Sequence, residues 1–373
     1  MLDPIVDFIT MVFHKIGQGI GWVIALILWP FMALRRWYKQ RSWIIRGPIL
    51  LILLALLVGY GFMFYQTQFW RGFDPDYAKG YDFAEKTVVP GSAVPGKAGV
   101  CAPSAVIEVA AELTDFNVNQ NGWIPSTLLY KAGLFGLDWK YTPWFDNKAA
   151  FQLGVNEIVR RTSIEAVDRL GRVRGTSQIN QNLQDARQNI NYNEDFWYFS
   201  LDPFGPKSPT PSSYRAAVKN LRDFNGELSR CEALFDPRAD NLLRFLDQMA
   251  NAIGSTSDIL GDQMRASNAG WFDTRADDRF WFTYGQIYAL NGIMTAVRSD
   301  FGEVIEERGL TKTFITMKQQ IRDTLEIDPL IISNGSESAF MMPSHLATMG
   351  FYLLRVRATD RNARYSGPLI TSP

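Results

Sequence analysis

From Gly47 to Tyr65 the chain runs nineteen residues without a charge, and Ile49 to Val58 within it is an unbroken apolar run. Coiled as an α-helix the stretch is about 28 Å long at roughly 1.5 Å per residue, close to the thickness of a bilayer's hydrocarbon core. A helix in a soluble core keeps a polar face, whereas this one is apolar all round. The pattern predicts a transmembrane helix over 47–65. Five cations precede it without an acid among them (Arg35, Arg36, Lys39, Arg41 and Arg46), and only Gln66, Thr67 and Gln68 follow before Trp70. The positive-inside bias therefore assigns 35–46 to the cytoplasm and exports everything beyond Tyr65, into the periplasm if the source is a bacterium. Tyr60, Phe62, Phe64 and Tyr65 stand where a cleaved signal peptide would need small residues, so the anchor is expected to be retained.

Residues 1–34 hold a second uncharged stretch, Ile16 to Leu34, interrupted by Gly17, Gly19, Gly21 and Pro30. Before it, Ile5, Phe8, Ile9, Val12, Phe13 and Ile16 recur at helical spacing, which fits an amphipathic or re-entrant element as well as a second span. Trp22, Trp29, Trp37, Trp43 and Trp70 place five of the eleven tryptophans in the first seventy residues, as interfacial belts would.

About 300 residues follow Tyr65, enough for one large domain or two ordinary ones. The net charge of the whole chain is zero, but the first 65 residues carry six Lys or Arg against Asp3 and Asp7, which leaves the exported part mildly acidic. No basic face suggests nucleic acid as a partner. The only cysteines, Cys101 and Cys231, both fall in this part, and an oxidising compartment favours a disulfide between them. The alternative is two independent thiols, with Cys231 on the apolar stripe of a predicted helix.

The rest reads as all-α. Residues 66–103, rich in Gly and Pro, are expected to be a stalk and linker, and 104–202 a first helical subdomain. A Pro-rich connection at 203–213 leads to a second subdomain at 214–358, with a tail at 359–373. Ser104 caps a predicted helix, and another follows Asp146. Further helices are predicted near 212–235, 237–254, 276–308, 311–325 and 344–358; Asp236 with Pro237 resembles a helix start. The clearest stripe is Phe280, Tyr284, Ile287, Leu290, Met294, Val297, Phe301 and Val304.

Chemistry-bearing patterns are incomplete. Gly91 to Ala98 approaches a phosphate-binding loop, but Ala98 replaces its hydroxyl residue and Pro90 and Pro95 remove backbone donors. Beyond the anchor the one histidine is His345, which excludes a site with several histidine ligands and leaves a nucleophilic triad only the pair Ser344 and His345. Asp277 with Asp278, and Glu303 with Glu306 and Glu307, could supply a carboxylate pair. Their alternation with Arg275, Arg279 and Arg308 instead predicts solvated ion pairs. Residues 121–147 offer the best candidate binding surface, with Trp123, Tyr130, Trp139, Tyr141 and Trp144 able to stack on sugars, grip a peptide or rest on a membrane. Filling the core is their alternative role. Asn334-Gly335-Ser336 matches a glycosylation sequon, which in a bacterium is only a turn.

Three further stretches carry a resemblance: Trp144-Phe145-Asp146-Asn147 leading to Gln152-Leu153-Gly154-Val155, then Phe235-Asp236-Pro237-Arg238-Ala239-Asp240-Asn241-Leu242, then Asp328-Pro329-Leu330. With an N-terminal anchor, they resemble the domain of unknown function 2333 family, a proteobacterial inner-membrane-anchored family. The resemblance covers roughly 48–358, implies a bacterial inner-membrane protein and transfers no catalytic residue. The two-part apolar region at 1–65 departs from a plan with one simple anchor. The residues themselves point to a non-enzymatic protein, without cofactor or metal, that binds an envelope or membrane-complex partner. A hydrolase of peptidoglycan or lipid would need a buried, convergent acid pair or an activated Ser344, and a lipid-handling protein would need a large apolar cavity between helices.

Overall fold

The computed structural model describes the chain except residues 1, 2, 82–88, 143, 173–177, 202, 267–272, 274, 328, 330, 331, 335–343 and 366–373. Asp328 and Leu330 of the third familiar stretch therefore lie outside the described residues. The chain divides into two units, Met1–Phe62 and Met63–Pro373.

The first unit holds α1 (Asp3–Lys39) and most of α2 (Trp43–Gln68). α2 is long and apolar enough to cross a membrane; in α1, His14–Val23 and Leu28–Lys39 meet that test only together, across a 43° bend. Pro30 lies just after the bend, and a proline ring clashes with the carbonyl four residues earlier in a regular helix. Arg35, Arg36, Lys39, Arg41 and Arg46 cluster about the turn between the two helices. There the Arg46 guanidinium donates to the Lys39 carbonyl, and Arg41 lies 5.0 Å from the Trp37 ring centroid. Trp22, Trp29, Trp37 and Trp43 are exposed.

The second unit is built from α3 (Ala105–Asp115), the short α4 (Leu128–Ala132), α5 (Asn147–Glu165), α6 (Gln181–Ile190), α7 (Thr210–Ser229), α8 (Ala239–Ala266), α9 (Ala276–Asp300), α10 (Gly302–Glu307), α11 (Thr311–Leu325) and α12 (His345–Tyr365). The described sheet is one antiparallel pair, β1 (Phe199–Leu201) with β2 (Phe204–Pro206). The fold class is all-α, as expected.

α9 is the axis of the core. Its apolar stripe is buried, and so are Thr283, Gln286, Asn291, Thr295 and Ser299 on its other faces, because α3, α5, α8, α11 and α12 all pack around it. Buried polar side chains there find local acceptors: Thr283 donates to the Arg279 carbonyl and Thr295 to that of Asn291, both at 2.7 Å. At its C-terminal end, the buried Asp300 carboxylate accepts from Ser104 Oγ (2.6 Å), Ala105 N (2.9 Å) and Val106 N (3.0 Å). It thereby satisfies the free N–H groups of the first turn of α3.

Three expectations change. Pro203–Ser213 does not separate two cores, since α3 and α5 before it pack on α7 and α9 after it in one continuous apolar cluster. The start of the expected stalk and linker, residues 66–81, is instead packed: Trp70, Phe73, Tyr77 and Tyr81 lie against that cluster. Trp70 is therefore no interfacial tryptophan: its ring lies 5.0 Å from Phe151 and 5.1 Å from Trp281, and its Nε1 donates to the Thr67 carbonyl. Aromatic area of that size is worth more inside a core than along a tether. Asp236, finally, does not cap α8, which begins three residues later; both its oxygens accept from Arg238 Nε at 2.8 Å.

The end of α2, Met63–Gln68, belongs to the second unit and is locked into it. The buried Lys148 ammonium donates to the carbonyls of Gln66 (2.8 Å) and Phe69 (2.9 Å), which are among the acceptors a helix leaves free at its C-terminus. Asn121 brackets Arg71 with one bond to its N–H and one to its carbonyl, both 2.9 Å. Burial, with Arg71 nearby, holds the Lys148 amine down to about 8. Lys148→Ala is expected to loosen this junction while leaving the core folded. The check is amide exchange at 67–72, which should rise several-fold in the variant with no change at α9.

Candidate functional site

The first turns of α5 and α9 meet beside this junction. Oriented so that both its ends find partners, the Asn147 side-chain amide donates to Asp277 Oδ2 (3.3 Å) and accepts from Trp281 Nε1 (3.0 Å). From there the helices run side by side, with Gly154 against the Phe282 carbonyl and Gly285 against that of Phe151. Two helix N-termini thus aim their partial positive charge at one spot. Three carboxyl groups occupy it: Asp146 (1 % exposed), Asp277 (5 %) and the half-buried Asp278. Both oxygens of Asp146 and Oδ1 of Asp277 have no hydrogen-bond donor among the described residues.

Three acids so close cannot all ionise without large cost. Burial and then the Asp278 charge push Asp146 far above the usual carboxylate range. Burial, with Asp278 second, raises Asp277 to about 7. Asp278 is raised by burial, against the opposing pull of the neighbouring Asp146 carboxyl and of Arg279. The Tyr130 phenol is pushed up by burial and by the charges of Asp146, Asp278 and Asp138. Asp278 faces outward onto an open groove of about 350 Å³ shared with Tyr130, Lys140, Arg275, Arg279 and Phe282.

A carboxyl whose folded pKa is raised loses stabilising effect as pH climbs from its unfolded value, about 4, to the folded one. The domain should therefore weaken between pH 4 and 7 through Asp277, and further above that through Asp146. Asp146→Asn removes one of these charges while keeping the shape. It is expected to stabilise the protein by about 1–3 kcal/mol at pH 8 and to change little at pH 4, measured as denaturation midpoints at both pH values.

The expectation that Asp277 and Asp278 form solvated ion pairs is thus corrected, while Glu303, Glu306 and Glu307 are exposed. Asp277 lies three residues before Phe280 and seven before Tyr284, on the buried stripe itself; that register was the signal to read. Nothing in the sequence near Asp146 revealed that it would face α9.

The five candidate aromatics separate. Trp123 is buried, 4.9 Å from the Tyr214 ring, with Nε1 donating to the Glu194 carbonyl (2.7 Å). Trp139 is buried against Phe145 at 5.2 Å, with Nε1 donating to the Leu129 carbonyl (3.0 Å). These two are core residues, each with its one polar atom satisfied, and leave the candidate surface. Tyr130 lines the groove, and Tyr141 and Trp144 are exposed.

Ser344 and His345 are each bonded to other partners. The Ser344 hydroxyl accepts from Ala347 N (3.1 Å) as a helix cap and donates to Asn334 Oδ1, while His345 Nδ1 accepts from Ser333 N (3.1 Å). Asn334 is buried and bonded to Asp273 (2.7 Å). Cys101 and Cys231 stand at disulfide distance, with Cα atoms 5.3 Å apart. Cys231 is not on the helical stripe: α7 stops at Ser229, and Cys231 follows it exposed and with φ of 61°, a left-handed conformation common just past helix ends.

A second groove, of about 320 Å³, is mainly polar, bounded by Tyr77, Tyr81, Glu112, Asp115 and Arg222, and does not provide the apolar cavity of a lipid carrier. No curated protein and no solved structure matches the chain. One family model does match, over residues 44–269 and 261–364, and spans nearly all of α2, the junction and both helices of the carboxyl cluster. The chain belongs to that family, described as uncharacterized proteins conserved in bacteria (DUF2333).

Proposed function

We propose that this is an inner-membrane protein held by α2, with its helical domain in the periplasm, and that it acts as a non-enzymatic scaffold or accessory subunit for an envelope or membrane-complex partner. The observation that carries this reading is the junction. Lys148, Asn121 and the Trp70 cluster tie Met63–Gln68, the end of α2, to the core of the helical domain, so no loose linker follows the helix. A scaffold needs that rigidity, whereas an enzyme with diffusing substrate is served by a loose tether. The five cations before α2 support the orientation. Gentle crosslinking in native membranes followed by co-purification tests the reading: a specific companion protein should accompany the chain, and its absence after efficient crosslinking overturns the scaffold.

A second reading rests on the Asp146, Asp277 and Asp278 cluster, since a buried acid with a raised pKa beside a groove-facing one resembles the pairing that acid–base hydrolysis uses. Here Asp278 would act on the substrate and Asp146 would tune it. If purified protein cleaves peptidoglycan or lipid and Asp278→Asn abolishes the cleavage, this reading replaces the first.

A further inference from the structure

The exposed apolar residues of the segment between α4 and α5 are not scattered. Leu128, Phe135, Leu137, Tyr141 and Trp144 are all more than half exposed, and Phe135 is 75 % exposed at the tip of a tight turn. Leu134 and Leu137 pair across that turn, with Leu134 N donating to the Leu137 carbonyl (2.7 Å). Phe135 and Gly136 between them both have positive φ.

The position of this segment is fixed by the end of α2. Gln68 Nε2 donates to the Trp144 carbonyl (3.0 Å), and the Phe145 ring lies 5.9 Å from that of Phe64. Trp139, buried against Phe145, carries the register back to Leu129. Phe64 and Tyr65 close the apolar run, so Trp144 is bonded to a residue only three positions, or about 4.5 Å of helix, beyond it. At that height a tryptophan sits in the headgroup layer. Lys131 and Lys140 flank the turn, and the Lys140 ammonium lies 5.2 Å from the Tyr141 ring centroid. Exposed rings and leucines with lysines beside them are the composition of an interfacial anchor.

We propose that Leu128–Trp144 is a second membrane contact, in which Phe135, Leu137, Tyr141 and Trp144 insert into the outer interface of the bilayer that α2 crosses. The occupant of this surface is lipid. It rests on the reading of α2 as a membrane span and adds a second, peripheral contact with the same bilayer. This contact would brace the rigid junction from a second point.

The test uses the full chain reconstituted into vesicles of phosphatidylethanolamine with a minor share of phosphatidylglycerol. A spin label is placed singly at Phe135→Cys, Leu137→Cys, Leu54→Cys in the apolar run, and Phe204→Cys on the exposed hairpin. Collision with oxygen, which concentrates in lipid, is compared with collision with a water-soluble nickel chelate. The expected result is that oxygen dominates at positions 54, 135 and 137 and the chelate at 204. If position 54 reports lipid while 135 and 137 report water, the loop contact is overturned and the anchor stands. If position 54 also reports water, the anchor reading fails and the proposal falls with it. Lipid readings at 54, 135, 137 and 204 alike would point to non-specific adsorption of the domain and would equally overturn a specific contact.

Discussion

Adding one methyl group at Gly154 or Gly285 is expected to destabilise the helical domain by about 3 kcal/mol or more, among the largest effects of any single substitution in this chain. A Cβ at Gly154 would press into the Phe282 carbonyl, and one at Gly285 into that of Phe151, both well inside van der Waals contact. Neither obstacle is the tip of a side chain. Each is backbone in the facing helix, so the only relief is to move α5 and α9 apart. That movement opens the core along its axis and pulls Asn147 from Asp277. Gly154→Ala and Gly285→Ala together should cost less than the sum of the two, because the first already separates the helices. Gly350→Ala in α12 is the control: nothing lies within 4 Å of its added methyl, and helix propensity predicts a gain of about 0.5–1 kcal/mol. Chemical denaturation of detergent-solubilised protein decides it. Equal midpoints for Gly154→Ala and the parent would refute the close approach.

The second large effect is expected at the cysteines. Their separation of 130 residues means that a bridge removes much of the unfolded chain's freedom, worth about 5 kcal/mol in the chain-entropy model. The bridge also closes a structural unit. Cys101 N donates to the Ser229 carbonyl (2.9 Å), so the entry to α3 and the exit from α7 are tied by a backbone bond and by the sulfurs at the same place. Cys101→Ser with Cys231→Ser should lower the denaturation midpoint steeply, and reductant should do the same to the parent but nothing to the variant. Two alkylatable thiols in the native parent, with a midpoint indifferent to reductant, would show that the pair is not bridged. Such a bridge also constrains compartment, since it persists only where the surroundings are oxidising.

How far the fold could be read depended on the kind of signal. The helix at 311–325 was read to the residue, because Leu310, Phe314, Met317 and Ile321 form a single stripe with polar residues elsewhere. The helix after Asp146 and the Ser104 cap were read for the same local reason, with Ile107 N donating to Ser104 Oγ at 3.2 Å. α9 was read as a helix but not as the axis of the core. Its Thr283, Gln286 and Thr295 look like a solvent face in one dimension, and only the arrival of neighbouring helices on every side buries them. Residues 66–81 failed in the opposite direction: Gly and Pro suggested a tether, and the aromatic residues between them found partners more than seventy positions away.

The candidate site follows the same division. Tyr141 and Trp144 remain exposed, whereas Trp123 and Trp139, identical by composition, are inside. The acid cluster was legible at Asp277, through its register with Phe280, and illegible at Asp146, whose companions are more than 130 residues distant in sequence. What the amino-acid order determined by itself was the membrane-compatible helix, the position of most other helices and the all-α class. All of these depend on periodicity and composition within a few turns of chain. What only the tertiary structure decided was which aromatic residues are surface, which carboxyls are buried together, and that the end of α2 packs into the helical core. Those properties belong to pairs of residues brought together by packing, and a free energy shared across a hundred or more positions leaves no mark in the local sequence of either partner.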